Sequence, residues 1–218
     1  MENKIEKEPV IRVTNVVKVY GTQTVLDHVT LDILPGEICG IVGRNGSGKT
    51  VLFKSICGFT LLDSGSIRVR GKVIGKDVDI PDSIGAIIEN PGFLDNYSGY
   101  RNLKFLAMIQ KKIGGQEIKE AMRKVGLDPE SHKWVGKYSL GMRQRLGLAQ
   151  AIMEKPEILI LDEPFNGLDN QGVEDMRKML LEERECGKTI LIASHNPADI
   201  DILCDVVYEM DHGVLKKV

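Results

Sequence analysis

The chain has 218 residues, enough for one large domain with a substantial buried core. Its 42% hydrophobic and 28% charged residues are typical of a globular protein, while a net charge of −2 and 5% aromatic residues disfavour nucleic acid as a partner. Four widely spaced cysteines with no C-x-x-C pair exclude a disulfide framework or zinc pattern and indicate reduced thiols in a cytosolic protein.

The first part of the chain predicts strands that lead into a glycine-rich turn. The charged start, MENKIEKEPV, lacks the apolar segment of a signal peptide. Residues 11–20 and 25–34 alternate apolar and polar side chains, which predicts antiparallel strands. A buried strand over 37–42 then enters the turn, and a helix is predicted over 50–57.

The rest of the chain alternates strands and helices around a helical insert. Apolar residues recur at helical spacing between 97 and 155, and no apolar run reaches the ~20 residues that span a bilayer. The other predicted elements are a hairpin over 66–74, buried strands over 84–88, 158–161, 189–193 and 206–210, and helices over 173–186 and 197–203. Strand-helix alternation predicts an α/β fold with a mostly parallel sheet, plus an antiparallel β-subdomain.

The glycine-rich turn carries a phosphate-binding motif. Residues 43–50, GRNGSGKT, fit G-x-x-x-x-G-K-[ST] between a buried strand and a helix. The backbone of such a loop cradles phosphate oxygens, its lysine (Lys49) reaches the β- and γ-phosphates, and its Thr50 hydroxyl binds Mg²⁺. The predicted nucleotide-binding residues are Gly43, Asn45, Gly46, Ser47, Gly48, Lys49 and Thr50.

A second stretch, ILILDEP at 158–164, supplies two carboxylates at the end of a buried strand. Ligands of open α/β sheets bind at that end, so Asp162 is predicted to hold Mg²⁺. Glu163, one residue further, can polarise an attacking water and is the candidate general base. The alternative is that these two acids merely lie in a solvated loop.

The stretch YSLGMRQRLGLAQAI, residues 138–152, resembles the signature of ABC ATPases, which is usually LSGGQ. Ser139 and Gly141 match it, while Tyr138, Leu140 and Met142 depart from it. The resemblance implies a P-loop NTPase core, over 1–96 and 156–218, and a helical subdomain over 97–155. It also implies that Ser139 and Gly141 bind the γ-phosphate of ATP held by an opposite subunit.

Other positions fit the same family in order and spacing. Tyr20 resembles the aromatic residue that stacks on adenine, and Asp169, in Gly167-Leu168-Asp169, resembles the D-loop aspartate at the dimer interface. His195 resembles the switch histidine that contacts the γ-phosphate and acts in catalysis with Glu163 and Lys49. Taken alone, Tyr20 would be a strand-end core aromatic and His195 an ordinary loop residue.

Glu89 stands where the family normally carries its Q-loop glutamine, which contacts Mg²⁺ or the attacking water. Glutamate removes a hydrogen-bond donor and adds a negative charge, which favours Mg²⁺ and is repelled by the γ-phosphate. We therefore expect Glu89 to be a metal and catalytic residue that responds to the nucleotide; the alternative is a tolerated substitution. Glu89, the ENPGF stretch and the signature together resemble ATPases of antimicrobial-peptide exporters of the lantibiotic-immunity and bacitracin-resistance type.

The resemblance implies an ATP-hydrolysing subunit of an ABC transporter that uses ATP and Mg²⁺. The expected partners are integral-membrane permease subunits and a second copy of the chain, with ATP at the interface between the copies. The chain itself would not insert into the membrane and would lie on its cytoplasmic face. We expect the helical subdomain and the Glu89 loop to dock the permease, with Phe93, Tyr97 and Tyr100 lining the groove unless they pack in the core.

Two alternatives lie outside transport. One is an ABC-type ATPase switch that acts on a partner complex without moving a cargo. The other is a nucleotide-sensing module with negligible turnover, which the presence of both Glu163 and His195 disfavours. A P-loop kinase is unsupported, because the signature has no role in such an enzyme.

Overall fold

A computed structural model describes residues 8–89 and 91–218. The described residues form two sheets and six α-helices, with one 3-10 turn at Val135–Lys137. The strands are β1 (Ile11–Tyr20), β2 (Gln23–Ile33), β3 (Ile38–Val42), β4 (Ser64–Val69), β5 (Lys72–Val73), β6 (Ile84–Ile87), β7 (Ile158–Asp162), β8 (Thr189–Ala193), β9 (Val206–Asp211) and β10 (Val214–Lys217). The helices are α1 (Lys49–Ile56), α2 (Gly99–Gln110), α3 (Gly115–Lys124), α4 (Leu140–Ile152), α5 (Asn170–Glu185) and α6 (Pro197–Leu203).

The larger sheet has the order β10-β9-β3-β8-β7-β6, and its strands are parallel except for β10. Its central strands are short and apolar because both faces are covered. In β7, Leu159 and Leu161 join a core cluster with the helices that follow β6, while Ile158 and Ile160 join the cluster around α1. The predicted mostly parallel α/β sheet is confirmed, and the carboxyl ends of β3 and β7 lie at the same edge.

The smaller sheet is antiparallel, in the order β2-β1-β4-β5. Ile11 and Val13 of β1 are buried, whereas Arg12 between them is exposed, as the alternation in the sequence predicts. Gly71 makes the turn of the predicted hairpin, whose second strand is only two residues long. The predicted antiparallel β-subdomain is therefore present.

The predicted helical insert contains α2, α3 and α4, although the division of the chain at 97 and 155 stays a prediction. Helix α5 begins three residues before the predicted start at Val173, because the Asp169 side chain caps it by accepting a hydrogen bond from Gly172 N at 2.9 Å. Among residues 8–89 and 91–218, no helix combines the length and apolar character needed to cross a bilayer.

A buried glutamate joins the helical insert to the rest of the chain. Glu183 of α5 is only 5% exposed, and its carboxylate pairs with Lys124 at the end of α3 and with Lys188 in the turn before β8. Burial raises the pKa of Glu183, but the hydrogen bonds and charges of the two lysines outweigh burial and hold that pKa below its usual value. The ion pairs therefore stabilise the fold while the carboxylate is ionised.

Replacing Glu183 with glutamine is expected to lower the free energy of unfolding by about 1–3 kcal/mol at pH 7, since two lysines lose a buried partner. The folded-state pKa lies below the unfolded one, so this stabilisation is complete above the usual value of 4.5 and fades as the pH falls through the folded pKa. Urea unfolding of both proteins at several pH values measures the difference. A difference that grows on acidification would contradict the assignment.

Candidate functional site

The turn between β3 and α1 has a backbone that requires glycine. Gly43 has φ 151°, and a Cβ there would lie 2.2 Å from Met210 O. Gly48 has φ 116°, and its Cβ would lie 2.7 Å from Val25 O. Any other residue at either position would combine backbone strain with a backbone clash. The glycines of the phosphate motif thus allow the loop to turn tightly into the N-terminus of α1.

Lys49 opens α1 and folds back over this loop. The residue is 6% exposed, and its Nζ donates to Gly43 O at 2.7 Å and to Arg44 O at 3.1 Å. Ser47 is also buried, and its hydroxyl oxygen has no hydrogen-bond partner among the residues that the structure describes. A fixed ammonium group above a loop at a helix N-terminus makes an anion-binding site, as the motif predicts.

Thr50 and Asp162 are brought together from positions 112 residues apart. The Thr50 hydroxyl donates to Asp162 Oδ2 at 2.6 Å, which joins the first turn of α1 to the carboxyl end of β7. These donors are a hydroxyl and a carboxylate, the hard oxygen ligands that Mg²⁺ prefers. Mg²⁺ is usually held by one or two such protein groups together with substrate phosphates, which this pair of donors fits.

Glu163 and His195 form the second half of the candidate site. Glu163 Oε2 lies 2.8 Å from His195 Nδ1, and these residues follow the adjacent strands β7 and β8. Glu163 has a left-handed φ of 51°, a strained conformation for glutamate that is typical of functional positions. Its other oxygen, Oε1, is buried and has no hydrogen-bond partner among residues 8–89 and 91–218. A buried, unpaired carboxylate oxygen is available to accept a proton.

A cavity of about 500 Å³ connects Lys49, the Thr50–Asp162 pair and Glu163, whereas His195 is not among its lining residues. It lies between the phosphate loop, the end of β7 and the first part of α4. Its lining residues are Val25, Asn45, Gly46, Gly48, Lys49, Thr50, Val51, Glu89, Gln144, Asp162, Glu163 and Asn166. The structure thus gathers most of the predicted phosphate, metal and carboxylate residues around one space.

Glu89 enters the cavity from the loop after β6 and has φ 60°. Its Oε1 lies 2.8 Å from the Nζ of Lys54 in α1, and the Glu89 side chain is 63% exposed. An exposed ion pair of this kind contributes about 0–1 kcal/mol, so it does not fix the carboxylate firmly. Asn90, in the predicted turn after Glu89, lies outside the described residues.

Other predicted nucleotide-binding residues do not line this cavity. Tyr20 is half exposed at the end of β1, with Lys18 Nζ 5.1 Å from its ring centroid. Ser139 caps α4 by accepting from Met142 N at 3.2 Å, and a Cβ on Gly141 would lie 2.7 Å from Gly167 O. Asp169 caps α5. One copy of the chain therefore does not gather the whole predicted set around its own phosphate loop.

The sequence prediction missed residues that complete the cavity. Gln144 is 7% exposed, and its Nε2 donates to the backbone carbonyl oxygen of Glu163 at 3.3 Å, which links α4 to the residue that carries the candidate base. Its place in the signature stretch was the available signal. Asn166 also lines the cavity, but nothing in the sequence distinguished it from other loop residues.

The three aromatic residues predicted to line a docking groove divide between two environments. Phe93 and Tyr100 pack, partly buried, against the core cluster of the helical insert. Tyr97 is more exposed and makes an edge contact with Phe105, with ring centroids 5.1 Å apart. Tyr97 and Tyr100 both line a groove beside α2. Core packing therefore explains the position of Phe93 and part of the position of Tyr100.

Comparison with known proteins agrees with this geometry. Residues 26–166 match the ABC transporter family. The "Uncharacterized ABC transporter ATP-binding protein YybJ" of Bacillus subtilis (strain 168) is 44% identical over 206 residues, which are 94% of each chain. The "Bacitracin transport ATP-binding protein BcrA" of Enterococcus faecalis is 40% identical over 210 residues, 95% of this chain and 68% of that one. The resemblance to the bacitracin-type group is confirmed.

Solved structures give the same fold. The "Structure of cbiO1 from clostridium perfringens: Part of the ABC transporter complex cbiONQ" is 28% identical, covers 96% of this chain and 88% of that one, and superposes with a TM-score of 0.81. One conclusion follows from the phosphate loop, from the carboxylates at the carboxyl end of β7 and from the residues that match the family. The chain belongs to the ABC transporter family, among its ATP-binding proteins, and is an ATPase.

Proposed function

We propose that the chain hydrolyses ATP with Glu163 as general base and His195 as its partner, and that this reaction powers a membrane transporter. The observation that carries the proposal is the buried Oε1 of Glu163, which no described residue pairs with, in the cavity that also holds Lys49 and the Thr50–Asp162 pair. A proton acceptor, a cation and hard oxygen donors in one space are the requirements of in-line phosphoryl transfer to water.

Each side chain has a defined task in this mechanism. Glu163 orients the attacking water and accepts its proton, while Lys49 neutralises charge on the transferred phosphoryl group. His195, held against Glu163 Oε2, keeps the carboxylate in place and contacts the γ-phosphate. Thr50 and Asp162 would hold Mg²⁺, aided by Glu89, and the ion when bound supplies charge neutralisation on the phosphates.

The complete pocket is proposed to form between two copies arranged head to tail. Ser139 and Gly141 begin a helix whose N-terminus can bind an anion, yet they lie outside the cavity of their own chain. Placed against the phosphate loop of a second copy, they would complete the contacts to the γ-phosphate, with Asp169 at the interface and Tyr20 on adenine. ATP would then stabilise the closed dimer, and its hydrolysis would release the two copies.

The membrane part and the cargo are proposed from the relatives. BcrA is named for bacitracin transport, and CbiO1 is part of a transporter complex, so we infer permease subunits as partners of this chain on the cytoplasmic face of the membrane. Residues 97–155 would form the subdomain that docks them. The cargo class is an antimicrobial peptide or another amphiphilic compound, which the transporter would export for self-immunity or resistance.

A mixing experiment tests the composite pocket. Lys49→Ala removes the cation of the phosphate loop but leaves Ser139 and Gly141 intact. Ser139→Arg blocks the N-terminus of α4 but leaves the phosphate loop intact. Each variant alone is expected to be inactive, because both pockets of its homodimer are defective. An equimolar mixture is expected to recover about a quarter of the wild-type ATPase rate, because half of the random dimers are mixed and each mixed dimer has one intact pocket.

The rates are measured with the full chain at concentrations where the wild type turns over ATP, after circular dichroism shows that both variants fold. Co-purification of an untagged Ser139→Arg copy with a tagged Lys49→Ala copy, at the same concentrations and with ATP present, serves as the control for subunit exchange. No recovery in the mixture, despite demonstrated exchange, would contradict the shared pocket.

A further inference from the structure

A buried ion pair is linked to the loop that carries His195. Arg177 of α5 is 8% exposed and Asp199 of α6 is 2% exposed. Asp199 Oδ1 accepts from Arg177 Nε at 3.0 Å and from Nη2 at 2.5 Å. Two charges held this far from water cost desolvation energy that only well-made hydrogen bonds can offset. The remaining oxygen of Asp199 therefore also needs a partner.

That partner is the residue immediately before the histidine. The Ser194 hydroxyl donates to Asp199 Oδ2 at 2.7 Å, and Ser194 is 3% exposed. The same hydroxyl oxygen accepts a hydrogen bond from Asn196 N at 3.2 Å. The residues on both sides of His195 are thus tied to one buried hydroxyl, and that hydroxyl is tied to the ion pair.

His195 itself has little else to hold it. Its side chain is 66% exposed, and among the described residues its ring has one hydrogen-bond partner, Glu163 Oε2, which lies 2.8 Å from Nδ1. Its backbone N also points at Glu163 Oε2, at 3.4 Å. The position of an exposed side chain with one hydrogen bond depends on its backbone. The hydrogen bonds of Ser194 and Asn196 hold the backbone on both sides of His195.

We propose that Arg177, Asp199 and Ser194 are positioning residues that act on ATP hydrolysis through His195, by holding its loop so that the imidazole meets Glu163. The inference rests on the proposed catalytic roles of Glu163 and His195. It assigns a task to charged and polar residues that the phosphate, metal and signature motifs leave without one. Because Arg177 lies on the helix that Asp169 caps, the same ion pair also links that helix to the histidine loop.

The test uses Ser194→Ala in the full chain, because this change removes the link to the loop and leaves the Arg177–Asp199 pair intact. Asp199→Asn would instead leave a buried arginine without its countercharge, with a risk of misfolding. We expect kcat to fall about 10-fold, as for a slightly misplaced catalytic group, with KM for ATP changed less than about 2-fold. Ser55→Ala is the matched control, since it also deletes a buried hydroxyl, which donates to Val51 O, and should keep the wild-type kcat.

A readout independent of turnover comes from NMR of the chain with labelled histidine. The sequence has four histidines, and the His195 signal is identified by its loss in His195→Ala. Ser194→Ala is expected to shift the His195 ring signal and leave the other three in place. A purely structural role of Ser194 would move none of them or all of them.

The double variant Ser194→Ala/His195→Ala distinguishes a role of Ser194 that acts through His195 from a purely structural role. If Ser194 acts through His195, the double variant is expected to hydrolyse ATP at the slow rate of His195→Ala in single-turnover assays. A further 10-fold loss in the double variant, or an unmoved His195 signal in Ser194→Ala, would overturn the positioning role. A wild-type rate in His195→Ala, with the His195 signal of Ser194→Ala still shifted, would instead remove the catalytic role of the histidine and keep its structural link to Ser194.

Discussion

Replacing Glu163 with glutamine is expected to slow ATP hydrolysis about 10²- to 10⁴-fold, the range for loss of a general base, while ATP still binds. The amide has the size of the carboxylate and can keep a hydrogen bond to His195, but it cannot accept a proton. The oxygen that would accept the proton is Oε1, which is buried and has no hydrogen-bond partner in the described part of the chain. Because the phosphate loop is untouched, ATP should accumulate in the pocket and hold the proposed dimer closed.

Two measurements check this result. Steady-state phosphate release gives the rate, and light scattering with size-exclusion chromatography shows whether ATP produces a stable dimer. Glu157→Gln is the matched control, because Glu157 directly precedes β7, the strand that Glu163 follows, and its side chain makes an exposed ion pair with Arg70 at 3.1 Å. A wild-type rate in Glu163→Gln would disprove the assignment of the base.

Lys49→Ala is expected to weaken ATP binding by about 10- to 150-fold, the value of one charged hydrogen-bonding group, or about 1.5–3 kcal/mol. The ammonium is the cation that two carbonyls of the loop hold in place, Gly43 O and Arg44 O. Its loss removes both the positive charge and the donors that meet the phosphates. The backbone of the loop should persist, since the glycines determine it.

Isothermal titration calorimetry with ATP and Mg²⁺ measures the change in Kd. The control is Lys72→Ala, which removes an exposed lysine on β5 paired with Asp82 at 3.4 Å and should leave Kd unchanged. Equal affinity of Lys49→Ala and the wild type would refute the phosphate cradle.

The sheets could be predicted from sequence because burial imposes a simple pattern on strands. The apolar runs at β7 and β8 are short, rich in β-branched residues and bounded by polar residues, and the structure places both in the buried parallel sheet. The start of α5 was predicted too late because Val173 is its first apolar residue, whereas the helix begins after its cap, Asp169.

The polar contacts could not be predicted in the same way. Periodicity tells which face of a helix is buried but not which distant residue meets it, so nothing indicated that Arg177 and Asp199 form a buried pair. The contact of Lys54 with Glu89 likewise joins a helix to a loop 35 residues away. Such pairs depend on the final packing of elements, which a local pattern does not encode.

Glu183 has a mechanical consequence for the helices it touches. An ion pair at one end of a helix restrains that end more than the other, so the displacement in a rotation grows with distance from the ion pair. Lys124, which pairs with Glu183, lies at the end of α3, and the start of that helix lies about 14 Å away along its axis. Because this ion pair restrains the Lys124 end of α3, we expect a small rotation of the helix about that end to displace Gly115 further than Lys124.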